Sequence, residues 1–447
     1  MDVIIIKFNL SESSFQLNHF LIQNKLPIIV TLIFFLVMSY IAFFHHLYFS
    51  GQEQDGIYYL LHGREFFDGN LENTEQLNAP MGGPILYASL ENFLGDAFTG
   101  YKAVSIISGT GIVFITYFIA RNIFGTKIAL FTQIIVAINV KLQFLTMFAL
   151  NELLPIALIA FSFFFVTKKE LNISHLVMIG LLLGLAFMFR YQAIFIFIGL
   201  VIFLLIRDKK IRLNLTHCAI VFSIFLISAS PILVLNYSAF GNFVESGIGY
   251  DFLVLFKYQT PEWRETIQEM KHEGLLSLIL VDPDLFFKNY FYNLLSNNPD
   301  RIFNFGLLDN LSILPFIPII GFITVSLGFI CHIKPSKDKR ILYAFLISAL
   351  ITFLIFLKGD INIHYFAIIF FPLLFFGMSY FSKIQRNLLP LLVISIVFFF
   401  ALSILPVYRS YHFLILLIPF SILNSIFLVD ILGRIIAKKN SWRNNLE

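Results

Sequence analysis

Three ionisable residues stand where a mostly apolar chain gives them little reason to be: Asp55, Glu152 and Arg190. Asp55 lies in an acidic, aromatic-rich interval, residues 51–84, that also holds Glu53, Arg64, Glu65, Asp68, Glu72 and Glu75. A carboxylate held at a membrane face can act as a general base. Asp is also a favoured helix N-cap, and the two roles are compatible because a helix N-terminus keeps the carboxylate ionised. Glu152, in Asn151-Glu152-Leu153-Leu154-Pro155, lies at the edge of an apolar run, where an ionisable group is costly and is a functional candidate by default. Helix-start capping is the competing reading. Arg190, in Phe189-Arg190-Tyr191-Gln192, separates two apolar runs. It either snorkels as an anchor or holds a phosphate, for which the planar guanidinium is well shaped. A second polar cluster, Lys358, His364 and Tyr365, occupies a short turn with Asp360, where a local ion pair is the simpler explanation.

These residues need elements to place them, and the composition says what kind. The chain has 447 residues, is 58% hydrophobic and only 13% charged, with a mean hydropathy of +0.83. Runs of about 20 apolar residues, enough to span about 30 Å of hydrocarbon, recur throughout. The expected fold is all-α and polytopic, with about twelve transmembrane helices near 27–46, 98–120, 128–144, 148–166, 176–190, 191–206, 215–235, 311–331, 341–357, 365–380, 388–405 and 413–433. The third to sixth are short and closely spaced, the pattern of tilted or re-entrant segments. The chain reads as one membrane domain over residues 1–447, with no separate soluble domain and with an uncleaved first span.

Placing the N-terminus inside assigns 20 of the 31 Lys and Arg residues to the cytoplasmic side, clustered in short loops. The outer loops are then residues 47–97, carrying Asp55, and residues 236–310. Both should contain interfacial helices. In the first, residues 55–67 put Ile57, Leu60, Leu61 and Phe67 at helical spacing before Gly69, and the Pro- and Gly-rich stretch 78–84 breaks the chain before a second helix over 85–94. In the second loop, residues 262–272 and 284–295 are amphipathic, with Trp263, Tyr290 and Tyr292 at headgroup level. Gly180 and Gly184 form a small-residue face for close helix packing.

Several classes are disfavoured. Cys218 and Cys331 imply no disulfide framework. A net charge of +4 gives no nucleic-acid footprint. No P-loop, dinucleotide fingerprint, nucleophile elbow or HExxH occurs. The adjacent His45 and His46, with His62 downstream, point to different sides of a helix, so no metal site is expected there.

The order of motifs resembles that of GT-C-type glycosyltransferases. Asp55 with Tyr58 and Tyr59, then Asn78-Ala79-Pro80, Pro84-Ile85-Leu86-Tyr87 and Leu94-Gly95, resemble their first outer loop. The turn Arg121-Asn122-Ile123-Phe124-Gly125 is similar to the one after their second span. Asn151-Glu152-Leu153-Leu154 resembles their acidic fourth-span opening, and residues 180–190 their Gly-rich fifth span ending in Arg. His364-Tyr365 before Pro372 resembles a late family segment. The nearest branch contains protein O-mannosyltransferases and lipid A aminoarabinose transferases. The chain departs from the pattern at Ala79-Pro80-Met81-Gly82-Gly83-Pro84, where consecutive prolines are frequent, and at His364, where Arg is common.

The resemblance implies an integral membrane enzyme of the cytoplasmic membrane, its site facing the periplasm or exterior. It would move a sugar from a polyprenyl-phosphate donor to a lipid, glycan or protein acceptor by inverting single displacement. Asp55 would be the base and Glu152 a second carboxylate. Arg190, Lys358, His364 and Tyr365 would lie on the phosphate side, with Tyr58 and Tyr59 toward sugar or acceptor. No cofactor is required by such chemistry, although a divalent cation could assist. Two other functions fit less well: a polymerase or ligase of lipid-linked glycans, and a twelve-span transporter. For a carrier, the long acidic first loop is unusual and deep ionisable groups are few.

Overall fold

The computed structural model describes residues 24–45, 54–69, 80–240, 243, 283–294, 388–404 and 410–444. Every regular element within them is helical. In chain order they are α1 (Lys25–Tyr40, continued by a π turn Ile41–His45), α2 (Gln54–Phe67), α3 (Gly82–Leu94), α4 (Ala97–Phe124), α5 (Thr126–Ala137), α6 (Val140–Met147), α7 (Leu153–Val166), α8 (Ile173–Phe189), α9 (Ala193–Arg207), α10 (Ile211–Phe240), α11 (Pro283–Tyr292), α12 (Leu389–Leu402) and α13 (Leu417–Asn444), the last entered through a 3-10 turn Ser410–Leu416.

Among the described residues, four stretches are long and apolar enough to cross a bilayer: Lys25–His45, Ala97–Phe124, Ile211–Ser238 and His412–Asp430. The expected span over 128–144 is instead two helices, α5 and α6, bent by 55° at their junction. They count as a fifth crossing if taken together. Asn139 accounts for the break: it caps α6 by accepting from the Leu142 N–H at 3.0 Å. Helices α7, α8, α9 and α12 are apolar but have only 14 to 17 residues, or about 21–26 Å of rise. The expected spans at 311–331, 341–357 and 365–380 lie outside the described residues, as does the amphipathic piece over 262–272. The second expected interfacial helix of that loop is present as α11, with Tyr292 exposed.

The bundle is held by apolar packing and by a few polar ties, as lipid offers no hydrophobic drive between helices. Gly180 and Gly184 of α8 sit against α10. A Cβ on Gly180 would come within 2.8 Å of the Val221 carbonyl, and one on Gly184 within 2.5 Å of the Ser228 side chain. Gln133 on α5 donates to the Pro27 carbonyl of α1 at 2.9 Å, and Thr132 to Ser425 of α13 at 3.0 Å. Arg121, in the last turn of α4, donates to Asn24 at 2.9 Å. Gly125 then turns the chain with φ +83°, a conformation Gly adopts at little cost.

The two helices of the first loop are docked on this bundle. α2 starts one residue before the expected helix and ends at Phe67, followed by Gly69 at φ +79°. α3 starts earlier than expected: Gly82, Gly83 and Pro84 form its first turn rather than a turn that breaks the chain. Proline is tolerated there, since first-turn N–H groups lack helical acceptors anyway. A Cβ on Gly63 would overlap the Pro84 carbonyl oxygen, so the α2–α3 crossing requires a residue without one. Outside the crossing, Arg64 donates from Nε to Glu91 at 2.7 Å and pairs with it again through its terminal nitrogen.

Candidate active site

α2 buries Gly56, Tyr59, Leu60 and Gly63, the i, i+3, i+4, i+7 face of the helix. Ile57, Tyr58, Leu61 and Phe67 are exposed. Tyr58 and Tyr59, paired by sequence as contacts for sugar or acceptor, therefore part company: Tyr58 is 60% exposed and Tyr59 only 8%. Tyr59 joins a cluster with Leu60, Tyr87, Ala88, Ala97, Tyr101 and Ala149. Tyr87 and Tyr101 stack with ring centroids 3.9 Å apart, and the Tyr87 hydroxyl donates to the Ala149 carbonyl.

Asn151 is the hub behind that cluster. It accepts from the Tyr101 hydroxyl at 2.5 Å and donates to the Phe189 carbonyl at the end of α8 at 3.1 Å. Tyr59 reaches its side chain as well. A Cβ on Gly83 would come within 2.5 Å of the Asn151 amide nitrogen, so α3 touches the hub through a glycine. One residue along, Glu152 is 3% exposed and makes no capping bond at the start of α7. Its carboxylate pairs with the Arg190 guanidinium instead. Helix-start capping, the simpler reading of Glu152, is thus replaced by a tertiary ion pair. The geometry suits both partners: Glu152 sits at the N-terminus of α7 and Arg190 at the C-terminus of α8, each complementing its helix dipole.

Asp55 lies in the first turn of α2 rather than at the cap position before it. It converges with the ion pair on one group, the Tyr59 phenol. Burial pushes the Tyr59 pKa up, the Arg190 guanidinium pulls it down, and the Glu152 and Asp55 carboxylates push it up again. Tyr59 is therefore a protonated hydroxyl among two carboxylates and a guanidinium. Asp55, one turn earlier on α2, and the Glu152–Arg190 pair thus all act on this phenol.

Beside the ion pair opens a small, partly open cavity of about 40 Å³. Glu152, Arg190, Gln192 and His412 form its polar part, and Pro155, Ile156, Ile159, Ala193, Phe398 and Ile415 its apolar part. Gln192 and His412, which sequence reasoning missed, meet at 3.4 Å across 220 residues of chain. Lys102, also missed, is buried one turn into α4 near Asp96, whose pKa its charge helps to lower. Its sequence signal is a lysine near the start of a long, mostly apolar helix. Lys358, His364 and Tyr365 lie outside the described residues. His45 packs edge-on against Tyr40, and His62 contacts Glu65 at 3.2 Å. No group of three or more metal-ligating side chains occurs among the described residues.

A carboxylate on α2, a buried ion pair and an amphipathic cavity form a candidate site suited to a substrate with polar and apolar parts. Residues 78–234 match the family model described as dolichyl-phosphate-mannose-protein mannosyltransferase. That match bears out, over residues 78–234, the resemblance drawn from the motifs, and the chain is a multi-pass membrane glycosyltransferase. The matched region includes Glu152 and Arg190 but begins after Asp55. No curated protein matches the chain. The crystal structure of ArnT from Cupriavidus metallidurans bound to undecaprenyl phosphate aligns at 14% identity over 82% of this chain and 72% of that one, with a TM-score of 0.36. The same protein in the apo state aligns at 15% identity with the same coverage and TM-score.

Proposed function

We propose that the chain transfers a sugar from a polyprenyl-phosphate carrier to an acceptor hydroxyl or amine on the outer face of the membrane, with inversion at the anomeric carbon. The acceptor heteroatom bonds to that carbon as the bond to the phosphate oxygen breaks. The phosphate leaves as an anion and needs no general acid. The proton of the acceptor passes to the Asp55 carboxylate. Glu152 orients the guanidinium of Arg190, which faces the departing phosphate.

The observation that carries this reading is the convergence of Asp55 and the Glu152–Arg190 pair on Tyr59, next to an amphipathic cavity. The outward orientation rests on the Lys and Arg bias. Purified protein in proteoliposomes, supplied with radiolabelled polyprenyl-phosphate mannose or glucose, should release the free carrier phosphate when acceptor lipid or protein is added. An Asn73→Cys variant should be labelled by an impermeant reagent in intact cells. Uptake of solute with no carrier turnover would identify a transporter instead, and labelling only after permeabilisation would reverse the orientation.

A further inference from the structure

The cavity beside the ion pair has a second polar side that the transfer chemistry above does not use. Gln192 follows Arg190 by two residues, at the start of α9, and His412 comes from the 3-10 turn before α13. Both line the cavity, with the Gln192 amide nitrogen 3.4 Å from His412 Nδ1. Around them the walls are Ile156, Ile159, Ala193, Phe398 and Ile415. Polar side chains turned into a cavity inside an apolar bundle are costly, and such placement marks a ligand path by default. An amide has two N–H donors and a carbonyl acceptor, so one contact to His412 leaves Gln192 further bonding capacity toward the cavity.

Resting on the donor reading above, we propose that Gln192 and His412 are specificity-determining residues that hold hydroxyl groups of the transferred sugar. The charges at the site support this division. Arg190, the cation in the cavity lining, is matched to an anion. A neutral amide beside an imidazole supplies donors and acceptors in the mixed pattern that sugar hydroxyls require. Elements distant in sequence, α9 and the turn before α13, thereby read the part of the donor that differs between sugars. The α7–α8 ion pair lies by the part that all such donors share. A site built to bond a hydroxyl rejects a sugar that fails to present it, because its own polar groups are then left unpaired.

The test compares binding of three lipids by the full chain in nanodiscs: undecaprenyl phosphate, undecaprenyl-phosphate mannose and undecaprenyl-phosphate glucose. Wild type should bind at least one sugar lipid more tightly than the bare phosphate. Gln192→Ala and His412→Ala should each weaken that sugar lipid by about tenfold, the scale of one or two hydrogen bonds. Affinity for the bare phosphate should stay unchanged, which also shows that the variants fold. His412→Asn, which keeps a donor and an acceptor, should recover part of the loss. Equal weakening of all three lipids would place the pair on the phosphate and overturn the proposal. So would unchanged binding in both alanine variants, or a wild type that binds neither sugar lipid more tightly than the bare carrier. Binding of none of the three lipids by wild type would remove the donor reading itself, and this proposal with it.

Discussion

The carboxylate of Glu152 and the guanidinium of Arg190 are paired across the facing ends of α7 and α8, one nearly fully buried and the other mostly so. Each charge sits at a helix end whose dipole it complements. The ion pair ties the two helix ends together next to the cavity they line. An anion arriving at Arg190 meets a guanidinium already oriented by a carboxylate, not a free side chain that must be ordered on binding.

Removing one partner should therefore cost more than removing both. Arg190→Ala leaves a buried carboxylate without its counter-ion, a change that typically costs about 3–5 kcal/mol. The double variant Glu152→Gln, Arg190→Gln removes both charges. Thermal unfolding in detergent should show a large fall in Tm for the single variant and substantial recovery in the double. Turnover should stay low in both. Equal Tm values for the single variant and wild type would mean that the pair holds nothing together.

The glycines of the first loop give a steric prediction. Gly63→Ala introduces a methyl group where the Pro84 carbonyl stands, and Gly83→Ala introduces one against the Asn151 amide. Overpacking of this kind costs about 1–3 kcal/mol. More importantly, it shifts α2 from α3 in the first case and Asn151 in the second. Both variants should express, with turnover lowered by at least about tenfold, because small misplacement of catalytic groups is expensive. Gly69→Ala is the contrast for open space, although its φ of +79° adds backbone strain. It should lower Tm slightly and leave turnover near wild type.

Much of this site can be read from the sequence, and the limits have physical causes. Asp55, Glu152 and Arg190 stand out because charges are scarce in apolar sequence. That Glu152 turns from its helix to Arg190 depends on how α7 and α8 pack, which local pattern does not encode. Apolar residues lie on both faces of α2: Tyr59 and Leu60 are covered beside Gly56 and Gly63, while Ile57, Leu61 and Phe67 are exposed. Hydrophobicity reports burial only where the alternative is water. Small residues mark the packed side of such a helix instead. Gln192 and His412 could not be linked from sequence, being joined only by the fold.

The Arg64–Glu91 clamp predicts a modest acid sensitivity. The hydrogen bond from Arg64 holds the Glu91 carboxyl below the usual carboxylate range. A depressed folded-state pKa stabilises the fold above the ordinary glutamate range and is lost as the pH falls through the folded value. Both side chains are exposed enough for solvent and salt to screen them, so the pair contributes no more than about 1 kcal/mol. Arg64→Ala should lower Tm slightly at neutral pH and low salt. The difference from wild type should vanish in strong acid and shrink in high salt. A difference that persists in both would mean that Arg64 acts through packing on α3.

Asp55→Asn tests the central claim most directly. The substitution is nearly isosteric and keeps a polar group in the first turn of α2, so the fold and the binding of polyprenyl phosphate should survive. The amide cannot take the proton of the acceptor, and loss of a general base typically lowers rate by about 10²–10⁴-fold. The measurement is single-turnover transfer from a radiolabelled polyprenyl-phosphate sugar, with carrier affinity determined on the same preparation. The account predicts near-normal carrier affinity with transfer reduced by at least a hundredfold or so. Transfer at close to the wild-type rate would contradict it and leave Glu152 as the carboxylate to examine.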